Sequence, residues 1–322
     1  MRALVLAAGL GLRLRPLTAD CPKPLLPVAG ASLLATTLDC LVEAGCEAAA
    51  INLHHLGGRI RDAFGARFRA MPLTWSAETE LLGTLGALAP LRGFFAAAGT
   101  VLLLNGDSLC RWPLASLLAR HRAAAARGAR ATLLLAARAD PAAFGGGVGV
   151  GQRGEVRTLF AGDAVRGPVA RRLVFAGAHA LAPELLARIP AGASDSVRDL
   201  YRPLLDQGER LASLVTRRRW HDLGTPRRYL DAVGETLAVR RSSFISAGAR
   251  VAPGARLRRV DVEAGAAIEE GARVEDALLL PGARIGPGAV VRDAIVGFGA
   301  AVAAGERLEG ALAAAGDVRI PL

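Results

Sequence analysis

The feature that most constrains this chain is a 17-residue repeat in its C-terminal part. Gly-Ala pairs begin at positions 248, 265, 282 and 299, and a second glycine series has the same period at 254, 271, 288 and 305. Aliphatic residues recur at spacings of 6, 6 and 5, whereas a helix needs a period of about 3.6 and a strand about 2. These aliphatic residues are Ile245, Val251, Leu257, Val262, Ile268, Val274, Leu279, Ile285, Val291, Val296, Val302 and Leu308. The period predicts a triangular coil of parallel strands, in which each side contributes one inward aliphatic and glycine turns the corners at positive φ.

The repeat resembles the hexapeptide-repeat left-handed β-helix, with one side of each coil a residue short. Each aliphatic would stack on its equivalent in the next coil, and residues 244–322 would hold about four coils. We therefore expect a short left-handed parallel β-helix over 244–322.

Residues 1–232 have a different pattern, in which short apolar runs alternate with helical stretches. The runs are Ala3–Ala7, Ala48–Leu53, Val101–Leu104 and Thr132–Ala136, and the helical stretches include Leu33–Ala44, Arg59–Phe68 and Leu114–Arg127. This order predicts an α/β, Rossmann-like, mostly parallel sheet with helices on both faces and a ligand at the carboxyl ends of the strands. A helical stretch opened by Thr225-Pro226 supplies the linker helix, which we place at 233–243.

Composition and charge exclude several classes of protein. The net charge is +11, but the arginines are scattered and no aromatic residues interleave with them, so we expect no nucleic-acid binding. No uncharged apolar run is long enough for a membrane helix. The cysteines form no CxxC pair, which argues against a zinc knuckle or a disulfide framework and favours the cytoplasm. They are Cys21, Cys40, Cys46 and Cys110.

Two segments near the N-terminus contain residues that could bind phosphate. The first apolar run leads into Ala8, Gly9 and Gly11, whose backbone N–H groups could approach phosphate oxygens beside the Arg13 fork. An ordinary strand-to-helix turn would give the same glycines. Lys23 stands between two prolines and is the only lysine among 40 basic residues, which suggests a need for an ammonium group there. A surface lysine is the alternative.

Together these motifs resemble the signature of the sugar-1-phosphate nucleotidyltransferases, the nucleotide-sugar pyrophosphorylases. The matching segments, in order, are Gly9-x-Gly11-x-Arg13-x-x-Pro16-Leu17-Thr18, Pro22-Lys23-Pro24-Leu25, Leu82-Gly83-Thr84-Leu85-Gly86, Leu104-Asn105-Gly106-Asp107, Phe175-Ala176-Gly177 and Trp220-x-Asp222-x-Gly224-Thr225-Pro226. Several branches of this family also carry a C-terminal β-helix, so the resemblance covers the whole chain. The segment Asn52–Leu56 is similar to the mannose-1-phosphate guanylyltransferase-like branch.

The resemblance implies an enzyme that transfers a nucleotidyl group from an NTP to a sugar 1-phosphate and releases pyrophosphate. Asp107 and Asp222 would hold Mg²⁺, and Arg13 and Lys23 would be the catalytic residues. Nucleotide binding would fall to Ala8, Gly9, Gly11, Gly83, Thr84 and Gly106. Gly147 and Gly177 would line the sugar-phosphate side. Mannose 1-phosphate and GTP are the favoured substrates, and UTP, dTTP or ATP with another hexose 1-phosphate are the alternatives.

One departure leaves alternatives open. The family usually has Thr or Ser where this chain has Leu12, so a regulatory subunit that senses a nucleotide-sugar is the alternative function. A second, acyltransferase activity in the β-helix is not expected, because no histidine follows His221 and that chemistry needs a base. We expect a homo-oligomer, assembled through the β-helix, whose terminal edges need covering.

Overall fold

The computed structural model describes residues 1–322, and the chain divides into two compact units. Unit 1 comprises Met1–Leu10 and Thr36–Trp220, and unit 2 comprises Gly11–Ala35 and His221–Leu322. The strands are β1 (Arg2–Leu6), β2 (Pro27–Val28), β3 (Ala31–Ser32), β4 (Ala48–Leu53), β5 (Arg67–Phe68), β6 (Met71–Ala77), β7 (Val101–Asn105), β8 (Ser108–Cys110), β9 (Ala129–Ala136), β10 (Val148–Val150), β11 (Val156–Thr158), β12 (Arg171–Leu181), β13 (Arg210–Thr216), β14 (Trp220–Asp222), β15 (Phe244–Ile245), β16 (Arg250–Val251), β17 (Arg256–Val262), β18 (Ala267–Ile268), β19 (Arg273–Leu279), β20 (Arg284–Ile285), β21 (Val290–Val296), β22 (Ala301–Val302), β23 (Arg307–Glu309), β24 (Ala311–Ala314) and β25 (Val318–Pro321). The α-helices are α1 (Leu33–Glu43), α2 (Gly57–Phe64), α3 (Gly83–Gly86), α4 (Arg92–Phe95), α5 (Leu114–Ala125), α6 (Arg202–Asp206) and α7 (Pro226–Arg240).

The sheet of unit 1 has parallel strands at its centre, which confirms the predicted mostly parallel α/β fold. Its order is β11-β10-β12-β7-β1-β4-β6-β5, and β9 joins β13 to β12. Strand β1 lies between β4 and β7 and runs parallel to both. Its residues Ala3, Leu4 and Val5 are completely buried, because helices cover both faces of such a sheet and leave no polar face.

One predicted helix of unit 1 is shorter than its apolar pattern. The sequence predicts a helical stretch over Arg59–Phe68, but α2 ends at Phe64 and Arg67–Phe68 is strand β5. Gly65 follows the helix with a φ of 64° and a ψ of −145°, a combination that essentially only glycine adopts.

The C-terminal part of unit 2 is a β-helix with the predicted 17-residue period. Val262 pairs with Leu279, which pairs with Val296 one coil further on. The other two sides repeat at the same interval, with Ile268 opposite Ile285 and Leu257 opposite Val274. The aliphatics of the inner coils are buried and form one core. Ile245 of the first coil is 48% exposed, because no earlier coil covers it.

The third corner of each coil is turned without glycine. At the first two corners the glycines from Gly265 onward have positive φ, as predicted, whereas Gly248 and Gly254 of the first coil do not. At the third corner the left-handed residues are Arg259, Asp276 and Asp293, with φ of 53°, 50° and 46°. Aspartate tolerates this region better than most residues, and the Arg259 and Asp276 side chains pair at 2.5 Å. This corner carries no glycine signal.

Residues 11–35 fold with the C-terminal unit. The Ala29 and Gly30 N–H groups donate to Asp261 and Glu263 at 2.7 and 2.9 Å. Tyr229 of α7 donates its hydroxyl proton to the Pro27 carbonyl. The predicted linker helix at 233–243 is the second half of α7 and the turn after it. None of the helices combines the length and the apolar composition needed to cross a membrane.

Candidate functional site

In unit 1 the carboxyl ends of adjacent strands bring several predicted residues together. The Gly106 N–H, just after β7, donates to the Leu6 carbonyl at the end of β1 at 2.8 Å. A Cβ at position 106 would lie 2.6 Å from that same oxygen, so only glycine allows this approach. Gly9 follows β1 and is exposed, with no atom within 4 Å of where a Cβ would be. The backbone at Gly9 is therefore open to a ligand.

Asp107 lies in the two-residue connection between β7 and β8. No helix begins at this aspartate, so it is not a helix N-cap. It is partly exposed, and the Ser108 hydroxyl donates to its Oδ1 at 3.3 Å. Its carboxylate thus stands at the strand edge where ligands of parallel sheets bind.

A buried polar network that the motifs did not indicate supports this edge. Asn52, at the end of β4, accepts the Ala7 N–H at 2.7 Å and donates to Glu78 at 2.8 Å. The second Glu78 oxygen accepts the Leu82 N–H at 3.0 Å. Asn52 lies in a segment with a family resemblance, but Glu78 has no sequence signal at all. The network fixes the loop before Gly83 to the end of β1.

The predicted nucleotide-binding pair, Gly83 and Thr84, is held in place by its neighbours. Gly83 has a φ of 75°, and a Cβ there would lie 2.6 Å from the Ser194 carbonyl oxygen. The Thr84 hydroxyl accepts the Ser196 N–H at 2.8 Å and donates to Asp195 at 3.0 Å. Because the Thr84 hydroxyl already bonds Ser196 and Asp195, a ligand would meet the backbone of this loop.

The two glycines predicted on the sugar side lie at β12. Gly177 is part of this strand and Gly147 packs against it. Gly177, in β12, has a φ of 81°, and a Cβ there would lie 2.9 Å from the Asn105 side chain. Gly147 has a φ of 68° and packs against the Leu173 carbonyl, where a Cβ would lie 2.7 Å from its oxygen. Only Gly177 therefore lies directly at the end of β7; Gly147 stands four residues back along β12, about 13 Å at strand spacing.

In unit 2 the sole lysine is buried beside the second predicted aspartate. The Lys23 Nζ lies 3.8 Å from the Asp222 Oδ1, and the two side chains are 8% and 17% exposed. This rules out the surface-lysine alternative. Arg228, in the first turn of α7, pairs with the Asp222 Oδ2 at 2.8 Å. Sequence reasoning missed Arg228, because it stands in one of many scattered arginine pairs.

Arg13 and Gly11 belong to the same unit. Gly11 has a φ of 63°, and its carbonyl accepts the Thr18 hydroxyl at 2.8 Å. A Cβ on Gly224 would lie 2.9 Å from the Asp222 Oδ2 and 3.1 Å from the Arg13 Nη1. Arg13, Asp222 and Gly224 therefore border one small space. The structure thus places Gly11, Arg13, Lys23 and Asp222 in unit 2 and the remaining predicted residues in unit 1.

The sequence matches the profile of the nucleotidyl transferase family over residues 2–238. The chain belongs to this family. Residues 226–310 match a GlmU-like, C-terminal hexapeptide domain. The family and the domain type predicted from the motifs and the repeat are both confirmed.

Several relatives of this nucleotidyl transferase have names that state a reaction. The chain is 31% identical to the mannose-1-phosphate guanylyltransferase of Mycobacterium tuberculosis, over 86% of this chain and 79% of that protein. It is 28% identical to the probable mannose-1-phosphate guanylyltransferase 2 of Arabidopsis thaliana, over 85% of this chain and 75% of that protein. The crystal structure of HddC from Yersinia pseudotuberculosis has a similar fold, with a TM-score of 0.58 and 19% identity, over 73% of this chain and 99% of that one.

Two of the five histidines of this nucleotidyl transferase, His179 and His121, are buried and lie beside hydroxyl groups. Burial lowers the pKa of His179 to about 3, and its Nδ1 contacts the Tyr201 hydroxyl. Burial also lowers the pKa of His121, which lies 3.1 Å from the Thr132 hydroxyl. No three His, Cys, Asp or Glu side chains cluster as ligands of one metal ion. A site for Mg²⁺ would thus rely on one or two carboxylates and on phosphate oxygens, the arrangement that this ion favours.

Proposed function

We propose that this nucleotidyl transferase moves a guanylyl group from GTP to mannose 1-phosphate, with Mg²⁺, and releases pyrophosphate. The observation that carries the proposal is the buried ammonium of Lys23 beside Asp222, in a chain whose relative at 31% identity is a mannose-1-phosphate guanylyltransferase. In this reaction an oxygen of mannose 1-phosphate attacks the α-phosphorus of GTP. The bond from that phosphorus to the bridging oxygen breaks, and pyrophosphate leaves.

Lys23 would bind the two anionic reactants and neutralise their charge. The prolines at 22 and 24 fix the backbone on both sides of it, and the side chain is 8% exposed. A cation in a position shielded from water acts more strongly on phosphate than one in solvent. Because the displacement needs no covalent nucleophile, alignment and charge neutralisation would be the main contributions of the protein.

Arg13 and the open backbone around Gly9 would hold the triphosphate. Arg13 is exposed, and its guanidinium can donate two parallel hydrogen bonds to a phosphate. The Gly83–Thr84 backbone would meet the base, and Gly177 would leave room for the sugar. These are the roles that the family resemblance implies for the same residues.

Asp107 and Asp222 would hold the magnesium ion. Both present carboxylate oxygens, the ligand type that Mg²⁺ prefers, and both are only partly buried. The ion would supply neutralisation of phosphate charge. Asp222 is already balanced by Lys23 and Arg228, so a bound cation would share this carboxylate with them.

The test is pyrophosphate release with Mg²⁺ across a grid of ATP, GTP, CTP, UTP and dTTP against several sugar 1-phosphates. We expect release with GTP and mannose 1-phosphate, and a loss of at least 100-fold in Lys23→Ala and in Asp107→Ala. The matched variant Lys23→Arg keeps the charge but not the compact ammonium. It should recover only a small part of the lost rate if the ammonium itself is required.

Two outcomes would overturn the proposal. Release with a different NTP or sugar would reassign the substrates. A folded chain that binds GDP-mannose without turnover of any pair would instead be a regulatory subunit. A thermal unfolding transition like that of the unsubstituted chain shows that each variant is folded.

A further inference from the structure

A cavity of about 830 Å³ opens in unit 1 among arginine side chains. It lies between the C-terminal end of α5, the β10–β11 hairpin and the segment that leads from α6 into β13. We call it the arginine cavity. The arginines that line it are Arg120, Arg127, Arg153, Arg157, Arg166 and Arg210.

The arginine cavity lies at the opposite edge of the sheet from the predicted site residues. Its walls include Ala129 and Arg210, the first residues of β9 and β13, which are parallel. Both β9 and β7 run antiparallel to β12, so β9, β13, β7 and β1 point the same way. The cavity is therefore at the amino ends of these strands, whereas Gly9 and Gly106 follow carboxyl ends. It shares no residue with the site described above.

The positive charge of this cavity is largely uncompensated. Six of the 15 lining residues are arginine, whereas 39 arginines in 322 residues would give about two by chance. The lining also contains Glu155 and Glu209, but Glu155 pairs with Arg157 at 2.6 Å. Glu209 pairs at 3.0 Å with Arg130, which lies outside the cavity. Arg166 pairs with Asp206. The other four arginines of the cavity form no ion pair with any carboxylate of the chain.

Backbone contacts hold two of these guanidinium groups in place. Arg120 donates to the Ser213 carbonyl at 3.0 Å and to the Arg153 carbonyl at 2.8 Å. Arg210 donates to the Arg127 carbonyl at 3.1 Å. Carbonyl acceptors fix the position of a guanidinium without removing its charge, so the cavity is preorganised for an anion.

The floor between the arginines is apolar. It is formed by small and aliphatic residues that are buried, among them Ala124, Val156, Leu211 and Ala212. A volume of about 830 Å³ lies within the range typical of pockets for small molecules, about 300–1,000 Å³. The concave shape suits a small ligand better than a polymer.

We propose that the arginine cavity binds a small molecule carrying a diphosphate group, in a site separate from the one used for nucleotidyl transfer. The phosphate oxygens would lie against Arg127 and Arg153, whose side chains are exposed and have no carboxylate partner. The ligand is either free pyrophosphate or a nucleoside diphosphate, whose nucleoside would cover the apolar floor. This inference does not depend on the proposed substrates.

The test is isothermal titration of inorganic pyrophosphate, and separately of GDP, without divalent metal ions. It uses the full chain with Lys23→Ala, which removes the buried ammonium of the proposed catalytic site. Adding Arg127→Gln and Arg153→Gln should weaken binding of the pyrophosphate at least tenfold. The matched control adds Arg61→Gln and Arg122→Gln, two exposed arginines outside the cavity, and should change the affinity less than twofold.

The two ligands separate the two sources of diphosphate. Tighter binding of GDP than of pyrophosphate would assign the site to a nucleoside diphosphate, and the reverse would assign it to free pyrophosphate. Equal weakening in the cavity variant and the control would overturn the proposal, because net charge alone would then explain binding. Absence of binding at millimolar pyrophosphate, in a chain that unfolds cooperatively, would also overturn it. Since turnover is not measured, failure here leaves the proposed reaction untouched.

Discussion

The buried carboxyl pair Asp261 and Glu263 gives unit 2 a pH-dependent stability that one substitution should remove. Asp261 is completely buried and Glu263 is 4% exposed. They accept the N–H groups of Ala29 and Gly30, the segment that follows Lys23 and its prolines. Burial and then the charge of Glu263 raise the pKa of Asp261 from 3.8 to about 8. Below that pH the folded pair therefore keeps a proton.

The sign of the effect follows from proton binding. The folded state holds this proton more tightly than the unfolded state, so stability falls as the pH rises from about 4 through about 8. At about 1.4 kcal/mol per pKa unit, the rise of the Asp261 pKa from 3.8 to about 8 is worth roughly 6 kcal/mol when Asp261 is ionised in the folded chain. The charge of Arg240 lowers the pKa of Asp261 by less than burial and Glu263 raise it, and Tyr229 stays neutral because burial raises its pKa well above 10.

The perturbation is Asp261→Asn. The asparagine can still accept the Ala29 N–H, and its amide can donate to Glu263, so the pair needs no shared proton. We expect stability close to that of the unsubstituted chain at pH 5 to 6. At pH 9 we expect the variant to be more stable by about 2–5 kcal/mol.

The assay is urea unfolding of both chains from pH 5 to pH 9. Asp317→Asn is the matched control, because it removes one exposed carboxylate from a left-handed position that asparagine tolerates. It should leave the alkaline loss of stability in place. If the unsubstituted chain and Asp261→Asn lose stability in parallel between pH 6 and 9, the reasoning about the shared proton is wrong.

Three further substitutions test the packing and the predicted site. Gly106→Ala places a Cβ 2.6 Å from the carbonyl oxygen at the end of β1. Urea unfolding should show that the free energy of unfolding falls by about 1–3 kcal/mol. Gly99→Ala, at an exposed position, should show no such loss. Leu279→Ala, at a completely buried position of the β-helix, should lose about 2–5 kcal/mol, whereas Ile245→Ala, 48% exposed, should lose less than about 1. Leu12→Thr, at a side chain 53% exposed, should change stability by less than about 0.5 kcal/mol and, if the missing hydroxyl weakens phosphate binding, lower the KM for the NTP.

Much of the fold was predictable because its signals are local or periodic. The inward aliphatics such as Leu279 recur every 17 residues and must stack, so the repeat alone predicts both the coil and its register. The corner at Arg259, Asp276 and Asp293 was not predictable in the same way. Its left-handed conformation is held by the coil above and below, and neither arginine nor aspartate marks it in the sequence.

The candidate site was likewise predictable only in part. Motifs identify Lys23, Asp107 and Asp222, because the residue types and their order are specific. The residues that support the site are not contained in any motif: Arg228 beside Asp222, Glu78 beside Asn52, and the carboxyl pair Asp261 and Glu263 beside residues 29 and 30.

The sequence by itself determined the two kinds of architecture, the family and the identity of most candidate site residues, since each depends on short-range patterns of residue type. Only the tertiary structure decided which segments fold together and which charges face one another. Ala29 meets Asp261 across more than 200 residues of chain, and the arginine cavity gathers side chains from positions 120 to 210. Such pairings depend on the burial and direction of side chains after the chain has folded, and spacing along the sequence does not encode them.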